Sequence, residues 1–292
     1  MKFIFFIIMF LFSINSNKNI TYIESPSSLS SSSNINYEEN SNNYRYKTYV
    51  DGKIMIDDSY INNGFVKIFY KGNNEKVKLR ITKNEKIYTY DLHKKLINED
   101  DCVFSFTEGS GEYTIEIFES VDISKNTYKS IFKTLYNVNI DDFSPFLLST
   151  QMVNFNNFEN MPSLLTMNEL IKIQETLKFV INRLEYDYEK AENIKSGYLT
   201  NLNEVYFNKK GICLDYACFM ASILRKNNIP CKVEFGYVDG VYHAWVRVYV
   251  REKGEIYKNI ISNGNEWILI DPTFIDSNSI KKNNDYIIKY LY

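Results

Sequence analysis

Apolar residues fall two apart along Val66, Ile68 and Tyr70, along Val77, Leu79 and Ile81, and along Tyr113, Ile115 and Ile117. Beyond Thr166 the spacing changes to three and four, at Leu170, Ile173, Leu177, Val180 or Ile181, and Leu184. A period of two buries one side of a strand, and a period near 3.6 buries one stripe of a helix. The chain therefore changes architecture along its length. Its first folded part is all strand, and its second mixes helices with strands.

In the first part Ile87 to Tyr90 adds another apolar run, and Gly72-Asn73-Asn74, Asn84-Glu85 and Gly109-Ser110-Gly111 punctuate the runs as turns. Short alternating strands at this spacing predict an antiparallel β-sandwich over residues 45–120. Nothing in it carries chemistry, and His93, between Leu92 and Lys94, reads as a surface histidine. Residues 121–164 are a weakly patterned connection. In the second part Thr166-Met167-Asn168-Glu169 has the form of a capping box opening a helix. A second helix is expected from about Cys213 to Asn227, on Ala217, Met220, Ala221 and Leu224. Strands follow at 232–238, 241–250 and 266–270, the order of an α+β unit.

Upstream of both lies a different kind of segment. Lys2 precedes Phe3 to Ile14, a run apolar except for Ser13. As a helix it would span about 18 Å, short of the roughly 30 Å of a bilayer core. Residues 1–16 therefore read as a secretory signal, with an uncleaved anchor as the alternative. Residues 17–44 are rich in Ser and Asn and hold too little apolar surface to offset ordering, so a disordered and dispensable linker is expected. Asn19-Ile20-Thr21 has the form of a glycosylation acceptor. The protein is expected to be secreted or on the cell surface.

Composition excludes several classes. Lys and Arg number 34 against 36 Asp and Glu, a net charge of −2, which argues against a nucleic-acid partner. Four cysteines in 292 residues are too few for a disulfide scaffold. No phosphate-binding loop or dinucleotide fingerprint is present, and no cofactor is implied.

The chemistry concentrates in the second part. A nucleophilic cysteine needs a stabilised thiolate, a base within reach, and a group that orients the base. Cys213 follows Lys209-Lys210-Gly211-Ile212 and opens a predicted helix, where unpaired N–H groups and the dipole favour a thiolate. Gly211 is expected to let a substrate backbone approach. His243, one of two histidines, opens a strand in Tyr242-His243-Ala244-Trp245, and Asp271 closes another before Pro272. A Cys213–His243–Asp271 triad is geometrically plausible on that plan. Cys218, Cys231 and Cys102 read as structural; a Cys218–Cys231 disulfide stays open. Zinc on Cys213, Cys218, Cys231 and His243 lacks a Cys-x-x-Cys pair.

These motifs resemble those of the transglutaminase-like superfamily. Gly211-Ile212-Cys213-Leu214-Asp215-Tyr216-Ala217 is similar to its nucleophile signature, Tyr242-His243-Ala244-Trp245 to its His motif, and Trp267-Ile268-Leu269-Ile270-Asp271-Pro272-Thr273 to its Asp motif. Leu224 to Pro230 resembles the helix exit and Phe235-Gly236-Tyr237 the next strand, and Tyr186-Asp187 through Gly197-Tyr198 fits secreted bacterial members. The resemblance covers roughly residues 165–275 and implies a papain-like α+β catalytic core, assigned to residues 165–292. It further implies that Cys213 attacks an amide carbonyl to form a thioester, that His243 is base and then acid, and that Asp271 orients the ring. The Cys213 backbone N–H would supply one oxyanion donor. Two departures from the family pattern involve three positions. Asn228 stands where glycine is usual, and Val246 and Arg247 stand where a polar residue and Glu are common, which touches specificity.

The resulting expectation is an exported cysteine enzyme acting on amide bonds of a peptide or protein substrate, including cell-wall protein, with hydrolysis favoured. Protein cross-linking is one rival, and a non-catalytic surface module that binds through the sandwich is another.

Overall fold

The computed structural model describes residues 20–24, 36–39, 45–50, 52–92, 102–156, 158–162, 164, 168–195, 197–278 and 285–292. The signal segment expected at 1–16, most of the linker expected at 17–44, and His93 lie outside them.

The first part forms ten strands: β1 (Thr21–Ile23), β2 (Asn36–Glu39), β3 (Arg45–Tyr49), β4 (Ile54–Asp57), β5 (Phe65–Tyr70), β6 (Val77–Lys83), β7 (Lys86–Leu92), β8 (Val103–Ser105), β9 (Gly111–Asp122) and β10 (Thr127–Val138). They make two five-stranded sheets, ordered β1-β10-β9-β6-β7 and β2-β3-β4-β5-β8. The alternating residues do what their period requires. Val77, Leu79 and Ile81 of β6 and Tyr113, Ile115 and Ile117 of β9 are buried in one core with Val66, Ile68 and Tyr70 of β5. That shared core makes the two sheets a sandwich.

The sandwich reaches past both of its expected boundaries. β1 and β2 fall in the segment expected to be a disordered linker, and β10 runs into the expected connection. β1 pairs in parallel with β10, and β2 pairs with β3. Tyr22 of β1 meets the rings of Phe118 at 4.9 Å and Tyr128 at 5.9 Å, under the Arg80 guanidinium at 4.1 Å. Three apolar residues among serines are enough for an edge strand when the neighbouring sheet supplies the aromatic surface. β10 escaped notice because a register shift between Ser130 and Phe132 breaks its period of two. A chain beginning near Asn43 loses β1 and β2, and its melting temperature is expected to fall by at least about 3 °C. Unchanged thermal melting of that shortened chain would show that the two strands add nothing.

The second part comprises α1 (Glu169–Arg183), β11 (Glu185–Tyr186), α2 (Tyr188–Asn193), α3 (Leu202–Asn208), β12 (Lys210–Gly211), α4 (Cys213–Lys226), β13 (Cys231–Val238), β14 (Val241–Val250), β15 (Lys253–Tyr257), β16 (Ile260–Asn263), β17 (Glu266–Ile270), α5 (Pro272–Asp276) and β18 (Tyr286–Leu291). α1 begins later than the capping box implies. Its cap is Asn168, whose side chain accepts from the Ile171 N–H at 2.9 Å. Glu169 turns away to accept from the Arg251 N–H and guanidinium, both at 2.6 Å.

An antiparallel sheet ordered β17-β14-β13-β18 carries α4 on one face. Every residue of α4 from Cys213 to Arg225 is buried, because α1 covers the side that the sheet does not. The helix exit keeps its usual geometry despite the missing glycine. Asn228 sits in the left-handed region at φ 59, which asparagine tolerates. Arg225, fully buried, donates to the carbonyls of Cys231 at 2.9 Å, Leu148 at 3.0 Å and Tyr292 at 2.9 Å. It thereby ties the central helix to the connection and to the last strand. Burial pushes its pKa down to about 10. Tyr292 bridges the two parts, with its ring 5.3 Å from both Tyr90 of the sandwich and Phe235 of β13. Among the described residues no helix is long and apolar enough to cross a membrane.

Candidate active site

Cys213 is the first residue of α4, and the chain is pinned just before it. β11 and β12 form a short parallel bridge, with the Asp187 N–H donating to the Gly211 carbonyl at 3.0 Å. The main anchor is Asp215, a residue that sequence reasoning quoted in a motif without a role. Its carboxylate is fully buried and accepts from the Ile212 N–H at 2.9 Å, Lys190 at 2.7 Å, Tyr198 at 2.7 Å and Thr200 at 2.9 Å. Four donors satisfy a buried charge and hold the first turn of α4 in place. The available signal was an acidic residue three positions after the helix cap.

Gly211 has a reason within the fold itself. A Cβ there would lie 2.7 Å from the Asp215 Cβ. The close approach is made by the protein's own carboxylate, and the glycine makes room for it.

His243 stands on β14 opposite Gly236 of β13 and is 2% exposed. Asp271 ends β17 and caps α5. Its Oδ1 accepts from the N–H groups of Thr273 and Phe274, both at 3.1 Å. Its Oδ2 accepts from His243 Nε2 at 2.8 Å and from the Tyr286 hydroxyl at 3.0 Å. A carboxylate can only accept, so Nε2 carries a proton and Nδ1 faces the other way. Phe274 stacks on the imidazole at 4.6 Å with 23° between the planes, so the ring is held by its edge and by its face.

The structure brings the three expected residues together. Burial opposes a charge on His243, but Asp271 and then Cys213, through charge and a side-chain hydrogen bond with each, raise its pKa from 6.5 to about 10. Cys213 also acts on the phenols of Tyr186 and Tyr242, whose pKa values burial raises first. The other cysteines behave differently. None of the four cysteines is in a disulfide, and Cys102, Cys218 and Cys231 are 0% exposed against 8% for Cys213. Burial raises the Cys218 pKa and pushes Cys231 up to about 12. Cys218 and Cys231 form no disulfide. Among the described residues no group of three or more His, Cys, Asp or Glu is arranged to hold a metal ion.

Two flanking residues take structural places. Trp245, fully buried, donates to Glu234 at 2.6 Å, and Arg247 donates to both Glu234 oxygens at 3.0 and 2.9 Å. The arginine that departs from the family pattern thus neutralises a buried carboxylate.

A buried Asp–His pair beside a cysteine at a helix start stands here on an α-helix packed against an antiparallel sheet, an α+β arrangement. Residues 164–272 match the model of the transglutaminase-like superfamily core. Over 62 residues the chain is 37% identical to the UPF0252 protein MJ1282 of Methanocaldococcus jannaschii, an alignment covering 20% of this chain and 18% of that protein. The chain thus matches under a fifth of the length of that curated relative. Among solved structures, it is similar to a candidate cysteine protease from Cytophaga hutchinsonii at 16% identity and a TM-score of 0.37, covering 76% of this chain and 82% of that one. The periplasmic domain of TgpA from Pseudomonas aeruginosa is similar at 12% identity and a TM-score of 0.27, covering 76% and 93%.

Proposed function

We propose that this protein is an exported cysteine enzyme that hydrolyses amide bonds of peptides or of cell-wall or surface proteins. One observation carries the reading: the buried His243, fixed by Asp271 at 2.8 Å through one ring nitrogen, is coupled to Cys213 on its other side. Cys213 Sγ attacks the amide carbonyl carbon, and the carbonyl oxygen takes the negative charge. The Cys213 backbone N–H, at the start of α4, is suited to stabilise that oxygen, because the first N–H groups of a helix have no intrahelical acceptor. As the C–N bond breaks, the His243 imidazolium protonates the leaving amine and a thioester remains. His243 then takes a proton from water as the water attacks the thioester, and the acid is released with the Cys213 thiol restored. Asp271 keeps the tautomer and steadies the imidazolium. Export rests on the character of residues 1–16.

Hydrolysis is favoured over cross-linking by what surrounds the histidine. A cross-linker must hold an amine and exclude water at about 55 M, which calls for apolar or aromatic walls. Trp245 is fully buried on the same face of β14 as His243, its ring 6.2 Å from the imidazole and packed on Tyr286. Arg247 and Arg251 on and after the same strand are engaged with Glu234 and Glu169. The tryptophan and both arginines are thus engaged within the fold, which supports the hydrolytic reading. A glutamine-containing protein offered with a labelled primary amine is expected to show no Cys213-dependent incorporation, while amide cleavage is lost in Cys213→Ala. Robust incorporation abolished by Cys213→Ala would overturn this choice and make the enzyme a cross-linker.

A further inference from the structure

Asp271 binds His243 through Oδ2, and the same oxygen accepts a second hydrogen bond from outside every motif of the triad. The donor is the hydroxyl of Tyr286, the first residue of β18, 3.0 Å away and buried. β18 is the edge strand of the sheet and pairs with β13, placing Tyr286 opposite Val238. The phenol ring is packed edge-on against Trp245 at 4.8 Å. It belongs to a small core with Val238, Trp245 and Phe274, the residue that also stacks on the imidazole. The hydroxyl is therefore aimed by packing at a carboxylate oxygen that already serves the histidine.

We propose that Tyr286 is a positioning residue of the triad: its hydroxyl fixes Oδ2 of Asp271 toward His243 and draws off part of the negative charge that the imidazolium would otherwise meet alone. The inference rests on the reading of Cys213, His243 and Asp271 as a catalytic unit. Two hydrogen bonds on one oxygen compete for the same electron density, so the strength of one sets the strength of the other. A carboxylate that holds its imidazolium too tightly makes a poor acid of it, and the proton must still pass to the leaving amine. The phenol stays a donor at neutral pH, because burial first and the Asp271 charge second raise its pKa. Asp285 and Asp239 act on the phenol in the same direction, while Asp271 and Cys213 are the charged groups acting on His243.

The test is Tyr286→Phe, which keeps the ring and removes the donor. The readout is the His243 titration followed by nitrogen NMR, tractable because the chain has two histidines. With the donor gone, Asp271 binds the imidazolium more strongly, and the His243 pKa is expected to move up by roughly half a unit. Placing 3-fluorotyrosine, a stronger donor, at position 286 is expected to move it down. In an Asp271→Asn background Tyr286→Phe should cause no further shift. On a cleavable amide, kcat should fall roughly tenfold in Tyr286→Phe with KM unchanged. An unmoved titration in both folded variants, or an equal shift when Asp271 is Asn, would overturn the proposal. The titration needs no substrate. A chain that shows these shifts yet cleaves no amide would therefore sink the hydrolase reading and leave the role of Tyr286 standing.

Discussion

Asp271→Asn is expected to lower the turnover of amide substrates by on the order of 10⁴, the scale set by the equivalent change in serine triads. The asparagine is nearly isosteric and can still cap α5 with its carbonyl oxygen toward Thr273 and Phe274. What it loses is the charge. Burial alone lowers the His243 pKa, and Asp271 is the first of the two groups that raise it to about 10. Without the carboxylate the imidazolium is left with the Cys213 contribution alone against burial, so the His243 pKa is expected to fall. The amide NH₂ would also meet Nε2 as a donor and favour the wrong tautomer. The sign for stability follows. A histidine with a raised pKa stabilises the fold fully below about 6.5 and loses that contribution as the pH rises through about 10. The variant should therefore show a flatter stability profile between those limits. Steady-state kinetics and urea unfolding across that range measure both effects. Turnover within a factor of ten of the parent would remove Asp271 from the mechanism.

Asp215→Ala is expected to have the largest effect on stability, on the order of 3–5 kcal/mol, the usual cost of removing one partner from a buried ion pair. The cost has identifiable sources. Lys190 is left with 22% of its side chain exposed and no anion at 2.7 Å. The hydroxyls of Tyr198 and Thr200 and the Ile212 N–H lose their acceptor in a buried place. A cavity also opens beside Gly211, where the Asp215 carboxyl group, Cγ and Oδ2, now fills the space. The Ile212 N–H belongs to the residue before Cys213, so the first turn of α4 should fray and the position of the thiol should blur. Alkylation of Cys213 by iodoacetamide is the second readout and should lose its preference over Cys218 and Cys231. A loss below about 1 kcal/mol in urea unfolding, with unchanged Cys213 alkylation, would show that the network is dispensable.

Much of this was legible from residues close together in the chain. The period of two placed β5, β6 and β9, since each strand needs one apolar face and alternation delivers it. The helical period placed α1 and α4. Cys213, His243 and Asp271 announced themselves by local surroundings: a helix start after glycine, a strand beside a tryptophan, and a strand end before proline. Each of those contexts is a property of a few neighbouring residues, and such properties survive without knowledge of the fold.

The remainder depended on partners far along the chain. β1 carries too little apolar residue to declare itself, and it exists because β10 and β9 present Phe118 and Tyr128 to Tyr22. Gly211 reads in the sequence as a small residue before the nucleophile, and only the packed structure shows that the Asp215 side chain lies against it. Trp245 stands in the His motif with no sign of its partners, and only the sheet shows that it packs against Tyr286. Tyr286 itself sits in an ordinary β-forming run, and no local pattern marks it. Its hydroxyl acquires meaning when β18 pairs with β13 and brings it 3.0 Å from Asp271. Periodicity and local motifs specify which face of each element is buried and which residues can react. The distance between two side chains on different strands is set by sheet order and register, and these arise only when the whole domain packs.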